Sequence, residues 1–382
     1  MQILVISKKR EHQWGAGHRF NTLIRGVSGV GQPVVWTPDD VSSRCKSGSR
    51  SLRSRVLRAF GVPTELYLDD VNDLNRCRRD LRDKIHVTHC RLIVVYYSEM
   101  MKYVPRDCAI PVIIDTVDIL WVKNGYNLIP KDNPYIRGFV RRCKYQFAMA
   151  AESAIMNRAD VIWVCSDVDQ DHVTRSPFVR RPRTRIVENS ISSAGVVTRV
   201  HRNPRRVVFV GTFGYNANRD GARWLIREVL PVIRETGMEV EVELAGPWPD
   251  WVDISDYQAP EVVVSGYVES IVDVYRRSSL VVCPLRFGSG TRLKIIEAWS
   301  YGCPVLSTSK GAEGLLVRRG VNIEIEDEPH AYAMKMITLL GDEGRLNILA
   351  NAGHHTLAAF YSSTVISEKI SSILEMEIGC SK

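Results

Sequence analysis

The chain has 382 residues, 45% hydrophobic and 25% charged, which exceeds one ordinary core and suits two domains of a soluble globular protein. No window approaches 18 uninterrupted apolar residues, excluding a transmembrane helix, and the nine scattered cysteines form no C-x-x-C pair, arguing against a disulfide framework or a zinc site. The net charge of +8 is uneven: residues 1–200 carry 32 Lys+Arg against 20 Asp+Glu, and the remainder 19 against 23, so the first half suits an anionic partner or is a solvated arginine-rich surface.

The chain opens with "MQILVISKKR", apolar first and basic second. A signal peptide has the reverse order, so the stretch reads as the first buried strand of a cytoplasmic protein. Further strands are predicted at 33–37, 91–97, 112–115 and 161–166, with helices near 17–27, 69–86 and 134–158. Segment 45–61 is polar and basic, then amphipathic, and reads as a surface loop and helix. Its basic part, 44–58, either docks on an anionic membrane surface or is a solvated arginine-rich loop. In "SDVDQD" (166–171) an apolar strand runs into a helix, so Ser166 or Asp167 reads as an N-cap rather than part of a metal site. No metal-ligating set is predicted elsewhere.

The second half is clearer. Strands are predicted at 206–213, 240–246, 262–268, 280–285 and 304–308, with helices at 218–235, 269–279 and from about 291. A final helical stretch covers 343–378 and could pack on either domain. Strands alternating with helices imply doubly wound parallel sheets. The proposed division is 1–200 and 201–382, joined near 189–206.

The stretch "GSGTRLKIIEAWSYGCPVLST" (288–308) carries the chemistry. It follows a strand directly, and in an open α/β sheet ligands sit at the carboxyl ends of strands. Gly288 and Gly290 let backbone N–H groups approach an anion, and the helix start adds free N–H groups and a positive dipole end. Arg292 and Lys294 add full charges. Lys294, Glu297 and Tyr301 share one helix face, and Glu297 suits a sugar diol better than an anion. Phosphates outside and ribose inside describe a nucleoside diphosphate. A capped helix with a charged solvent face has the same residue types.

Segments 209–235, 262–285 and 288–315 resemble the donor-binding half of the group-1 glycosyltransferases, the retaining family 4 enzymes with the GT-B fold. "WGAGHRF" (14–20) sits where that family has a glycine-rich turn, and "IIDTVDILW" (113–121) resembles an Asp-containing segment of a polysaccharide branch. The resemblance implies two facing Rossmann-like domains with an inter-domain cleft, the acceptor on the first and the nucleotide sugar on the second. Arg292 and Lys294 would hold the pyrophosphate and act in catalysis, with Asp118 on the acceptor side, where Asp115 is its neighbour. Gly288, Ser289, Gly290 and Thr291 would face sugar and phosphates, and Glu297 the ribose. Gly266, Tyr267 and Val268 would border the base, while Gly15 and Gly17 close on the donor and His18 lies near them. The implied reaction is retaining transfer from a UDP- or GDP-sugar to a hydroxyl of a glycan, glycolipid or polysaccharide precursor. It needs no metal and no bound cofactor, and it takes place in the cytoplasm or at the inner face of the membrane.

Three departures stand out. Ser289 replaces the first of two glutamates, Gly211 and Thr212 replace an Arg/Lys pair with Arg219 the nearest cation, and "ENSIS" (188–192) replaces an Asn-Gly-x-Asp. They keep open an alternative: a degenerate GT-B protein that binds nucleotide or glycan without transfer. A nucleic-acid partner lacks any recognised module. A nicotinamide dehydrogenase lacks a G-x-G-x-x-G match.

Overall fold

The computed structural model describes residues 1–8, 14–41, 71–125, 134–180, 183–192 and 204–379. The basic stretch 44–58, the loop and helix read at 45–61, and most of the 189–206 connection lie outside the described residues. The chain divides into two compact units, Met1–Asn189 with Ile366–Lys382, and Ser190–Val365.

In the first unit six parallel strands run in the order β2-β1-β3-β4-β5-β6. They are β1 (Gln2–Ile6), β2 (Gln32–Trp36), β3 (Leu92–Tyr96), β4 (Val112–Asp115), β5 (Val161–Val164) and β6 (Thr184–Ile186). Every residue of β3, β4 and β5 is buried, as central strands covered on both faces require. Helices α1 (Trp14–Ser28), α2 (Val71–Thr88), α3 (Leu120–Gly125), α4 (Pro134–Met156) and α5 (Asp167–Thr174) accompany them. Residues 14–20, where the resemblance implied a glycine-rich turn, form the first turns of α1, which extends the helix predicted near 17–27 toward the N-terminus.

The second unit also has a six-stranded parallel sheet, in a different strand order, from β7 (Arg206–Val210), β8 (Glu241–Ala245), β9 (Val262–Gly266), β10 (Leu280–Cys283), β11 (Val305–Ser307) and β12 (Glu324–Ile325). Their parallel order is β12-β11-β10-β7-β8-β9, the dinucleotide-binding arrangement. The strand order therefore reverses between the parallel β7 and β10, so a crevice opens where the connections leaving their carboxyl ends diverge. After β7 comes α6 (Asn216–Trp224), then a π-turn (Leu225–Val229) and α7 (Leu230–Glu235). Pro231 lacks an N–H and its ring crowds the preceding turn, which the widened turn accommodates. Helix α8 (Ile271–Arg277) leads to β10. Helix α9 (Leu293–Ser300) follows the glycine loop and begins two residues later than expected. Helices α10 (Pro329–Leu340) and α11 (Glu343–Phe360) pack on α9 and the π-turn helix.

The last helix, α12 (Ser363–Gly379), crosses back to the first unit. Its Ile366, Ile370, Ile373 and Leu374 share a core with Phe20, Leu23 and Val27 of α1. Gly26 permits the close approach, since a Cβ there would lie 2.5 Å from Ile370 Cγ2. Ser371 Oγ donates to the Gly26 carbonyl at 2.8 Å. Among the described residues no helix is long and apolar enough to cross a membrane.

Candidate functional site

The loop after β10 reaches the switch point of the second sheet. Gly288 (φ 128°) and Gly290 (φ 73°) adopt a backbone that L side chains rarely take. A Cβ on Gly288 would also meet Tyr215 Oη at 3.0 Å and Arg292 Nη2 at 3.1 Å. These turns fold Arg292 back on the loop, where Nη1 donates to the carbonyls of Ser289 and Gly290. Arg292 is only 6% exposed, yet its Nε and Nη2 have no partner, and neither has the buried Ser289 Oγ. An unpaired buried donor costs about 1–3 kcal/mol, more for a charged group, so these atoms are poised for an anionic acceptor. The start of α9, which has no side-chain cap, lies immediately after them.

Lys294, in the first turn of α9, donates from Nζ to Asn218 Oδ1 at 2.8 Å and lies 4.5 Å from the centre of the Phe209 ring. Burial pushes its pKa down to about 8; Cys283 and Glu297 oppose the shift and Arg292 reinforces it. Several other cations in this unit are matched with carboxylates: Arg206 and Arg277 with Glu243, Arg234 with Glu261, Arg286 with Asp220 and Arg345 with Glu324. Among the described residues neither Arg292 nor Lys294 forms such a pair.

Glu297 lies one turn further along α9. Tyr275 Oη donates to its Oε2 at 3.1 Å, leaving the second oxygen for a ligand. Burial raises the carboxyl pKa, opposed by the Tyr275 hydrogen bond and by Lys294. Tyr301 caps α9 and stacks on Tyr275 with ring centres 5.2 Å apart. Beyond lie the tight carboxyl ends of β7, β8 and β9. The Gly246 N–H donates to the Gly266 carbonyl at 2.8 Å, and a Cβ on Gly246 would fall 1.9 Å from the Gly211 carbonyl oxygen. Gly266 turns at φ 66°, Tyr267 is exposed and Val268 packs on the core. Arg219 donates to the Phe213 and Gly214 carbonyls and stacks 4.8 Å over Trp251, so it braces the loop after β7.

The remaining sequence-derived residues belong to the first unit. Gly15 and Gly17 lie in the first turn of α1, and His18 beside them is half-buried, which lowers its pKa. Asp115, at the end of β4, is enclosed by Arg19, whose Nε donates to both carboxylate oxygens at 3.1 and 3.0 Å. Arg19 Nη1 continues to the Val187 carbonyl at 2.8 Å. Burial would lower the Arg19 pKa, but Asp115 more than reverses that and raises it. Asp115 thus serves the architecture. Asp118 accepts from Lys123 Nζ at 2.8 Å and stays partly exposed. In the D-x-D stretch Ser166 caps α5, its Oγ accepting from the Asp169 N–H at 3.1 Å. Among the described residues no group of three or more His, Cys, Asp or Glu is arranged to hold a metal.

The supporting contacts of Arg19, Asn218, Tyr275 and Glu152 were not legible in the sequence. The fully buried Glu152 of α4 accepts from Ser98 Oγ at 2.8 Å and from the Trp121 N–H at 3.0 Å. Each acts through a partner far away in sequence, so no local spacing betrays it.

Residues 204–342 match the family model described as glycosyl transferases group 1. A protein of Klebsiella pneumoniae described as an uncharacterized 44.6 kDa protein in the cps region is 24% identical over 139 residues, 34% of this chain and 36% of that protein. The chain thus matches about a third of that relative's length. Sucrose-phosphate synthase from Thermosynechococcus elongatus superposes with a TM-score of 0.71 at 14% identity, covering 99% of each chain. Anabaena HepE in complex with UDP superposes at 0.67 and 13% identity, covering 98% of this chain and 100% of that one.

Proposed function

We propose that this chain, a GT-B protein whose second unit contains a group 1 glycosyltransferase domain, moves a sugar from a nucleoside-diphosphate donor to a hydroxyl acceptor with retention. One observation carries the reading: Arg292 and Lys294, at the switch point of the second sheet, have no carboxylate partner among the described residues, and the buried Arg292 Nε and Nη2 have no partner at all. A diphosphate supplies the missing charge.

In this reading Arg292 Nε and Nη2, Lys294 Nζ, the loop Gly288 to Thr291 and the N–H groups of α9 bind the pyrophosphate. Glu297, held by Tyr275, accepts from the ribose hydroxyls, and Gly266 to Val268 border the base. Negative charge grows on the diphosphate as the sugar–oxygen bond breaks, and preorganised cations stabilise that change without a metal. A diphosphate oxygen on the same face takes the acceptor proton, so no carboxylate nucleophile is required. Ser289 in place of a glutamate is compatible with that route. Residues 1–200 take the acceptor, with Asp118 orienting its hydroxyl and Gly15 and Gly17 closing on the donor; 201–382 take the donor. The acceptor is a glycan, glycolipid or polysaccharide precursor, met in the cytoplasm or at an anionic membrane face through 44–58. The UDP complex of HepE favours UDP over GDP as the leaving group.

Thermal unfolding against UDP, GDP, dTDP and ADP tests the proposal. Ligand at 100 times its dissociation constant stabilises by about 2.7 kcal/mol. A shift with one diphosphate, lost in Arg292→Ala and weakened in Glu297→Ala, is expected. No shift with any of the four, in a folded sample, overturns it. A shift without sugar release from any nucleotide sugar, with acceptors present, favours the second reading, a binding protein without transfer. The unpartnered Ser289 Oγ, in place of an acid, is the observation behind that alternative.

A further inference from the structure

We propose that Asn218 is a positioning residue: it fixes the Lys294 ammonium at the donor phosphates while leaving its charge unneutralised. The inference rests on the donor site assigned above and identifies how that site stays charged.

Asn218 sits in the first turn of α6, only 6% exposed, and uses both ends of its amide. Oδ1 accepts from Lys294 Nζ at 2.8 Å, and Nδ2 donates to the Thr212 carbonyl at 2.8 Å. The reversed amide would set NH2 against an ammonium and oxygen against a carbonyl, so only one orientation satisfies both partners. The pair lies against the turn after β7. A Cβ on Gly211 would fall 2.8 Å from Asn218 Nδ2 and 3.1 Å from Lys294 Nζ. Asn218 thereby ties the turn after β7 to α9 after β10, the two segments that flank the switch point.

The choice of an amide is informative. Arg206, Arg234, Arg286 and Arg345 in this unit are paired with carboxylates, which bind a cation more strongly than an amide does. Such a partner here would compete with a ligand's phosphate for the same charge. The groups facing Lys294 are Cys283 from β10, Arg292 from the loop, Glu297 on its own helix, and Tyr275 of α8, whose Oη lies 3.4 Å from the Lys294 carbonyl oxygen. The Phe209 ring covers it from β7. Of these only Glu297 carries a carboxyl group, and its Oε2 already accepts from Tyr275. The lowered Lys294 pKa follows from this setting and makes the arrangement readable by titration.

UDP binding to the full chain, measured by calorimetry from pH 6.5 to 9.5, is the test. In the wild type affinity declines as pH rises through about 8, where free Lys294 loses its proton. Asn218→Asp keeps shape and adds one charge. It weakens UDP binding roughly tenfold at pH 7 and moves the alkaline limb upward by about one pH unit. Asn218→Ala frees the ammonium and weakens binding severalfold without raising that limb, an expectation that holds even if the aspartate variant does not fold. A merely structural role would lower the unfolding temperature and leave the limb in place. Wild-type affinity and an unmoved limb in both variants overturn the inference while leaving the donor site standing. Absence of UDP binding by the wild type overturns the site and, with it, this inference.

Discussion

The two sheets end in opposite electrostatic states. In the first, the ionisable groups are satisfied within the protein: Asp115 pairs with Arg19 and Asp118 with Lys123, while the buried Glu152 accepts from Ser98 Oγ and the Trp121 N–H. At the carboxyl ends of the second, Arg292 and Lys294 rest on carbonyls and an amide, with donors to spare. A buried charge matched within the protein maintains the architecture. A buried charge left unmatched costs stability unless a ligand completes it, which marks the site.

The contrast can be broken most forcefully at Asp115. Asp115→Ala strands the Arg19 guanidinium and should cost about 3–5 kcal/mol in urea unfolding; wild-type stability would end the architectural reading. Glu152 is next. Burial raises its pKa to about 7, with the Ser98 and backbone hydrogen bonds opposing. Folding therefore favours the protonated acid, and its contribution is complete below the ordinary glutamate range and lost as pH rises through about 7. Stability should fall by roughly 3 kcal/mol over that window, and Glu152→Gln should flatten the profile. An unchanged slope would show that Glu152 is ionised throughout.

Arg292→Ala should do the converse of Asp115→Ala. Unliganded stability stays within about 1 kcal/mol of wild type, while the stabilisation of about 2.7 kcal/mol by saturating UDP disappears. Retained UDP stabilisation would erase the distinction between the two sheet ends. The smallest expected effect is that of Tyr275→Phe, which loosens Glu297 and should cost about 1 kcal/mol in UDP affinity but nothing in affinity for inorganic pyrophosphate. Equal losses for both ligands would move Glu297 away from the ribose.

What could be read beforehand follows from locality. Continuous apolar runs such as "RLIVVYY" and "LVVCPL" disclose central parallel strands because burial on both faces leaves no polar alternation. The loop Gly288–Arg292 was legible because its glycines and cations are contiguous. The three-residue β6 and two-residue β12 were not, being too short to show periodicity. Buried Glu324 of β12 depends on Arg345 from α11, a tertiary pairing. The family resemblance placed a glycine-rich turn at 14–20, but here Gly15 and Gly17 lie in the first turn of a helix. Asn218 was invisible for a different reason: its partner is 76 positions away.

The return of α12 has a consequence for synthesis. Ile366, Ile370, Ile373 and Leu374 complete the apolar face over α1 and the first sheet, yet the ribosome makes them after the whole of Ser190–Val365. Domains commonly fold in the order in which they emerge. Here the later unit can close its core first, while the earlier one waits with Phe20, Leu23 and Val27 uncovered. For that interval the side of α1 that packs on α12 has no cover, and the time taken to translate the second unit sets how long it stays so.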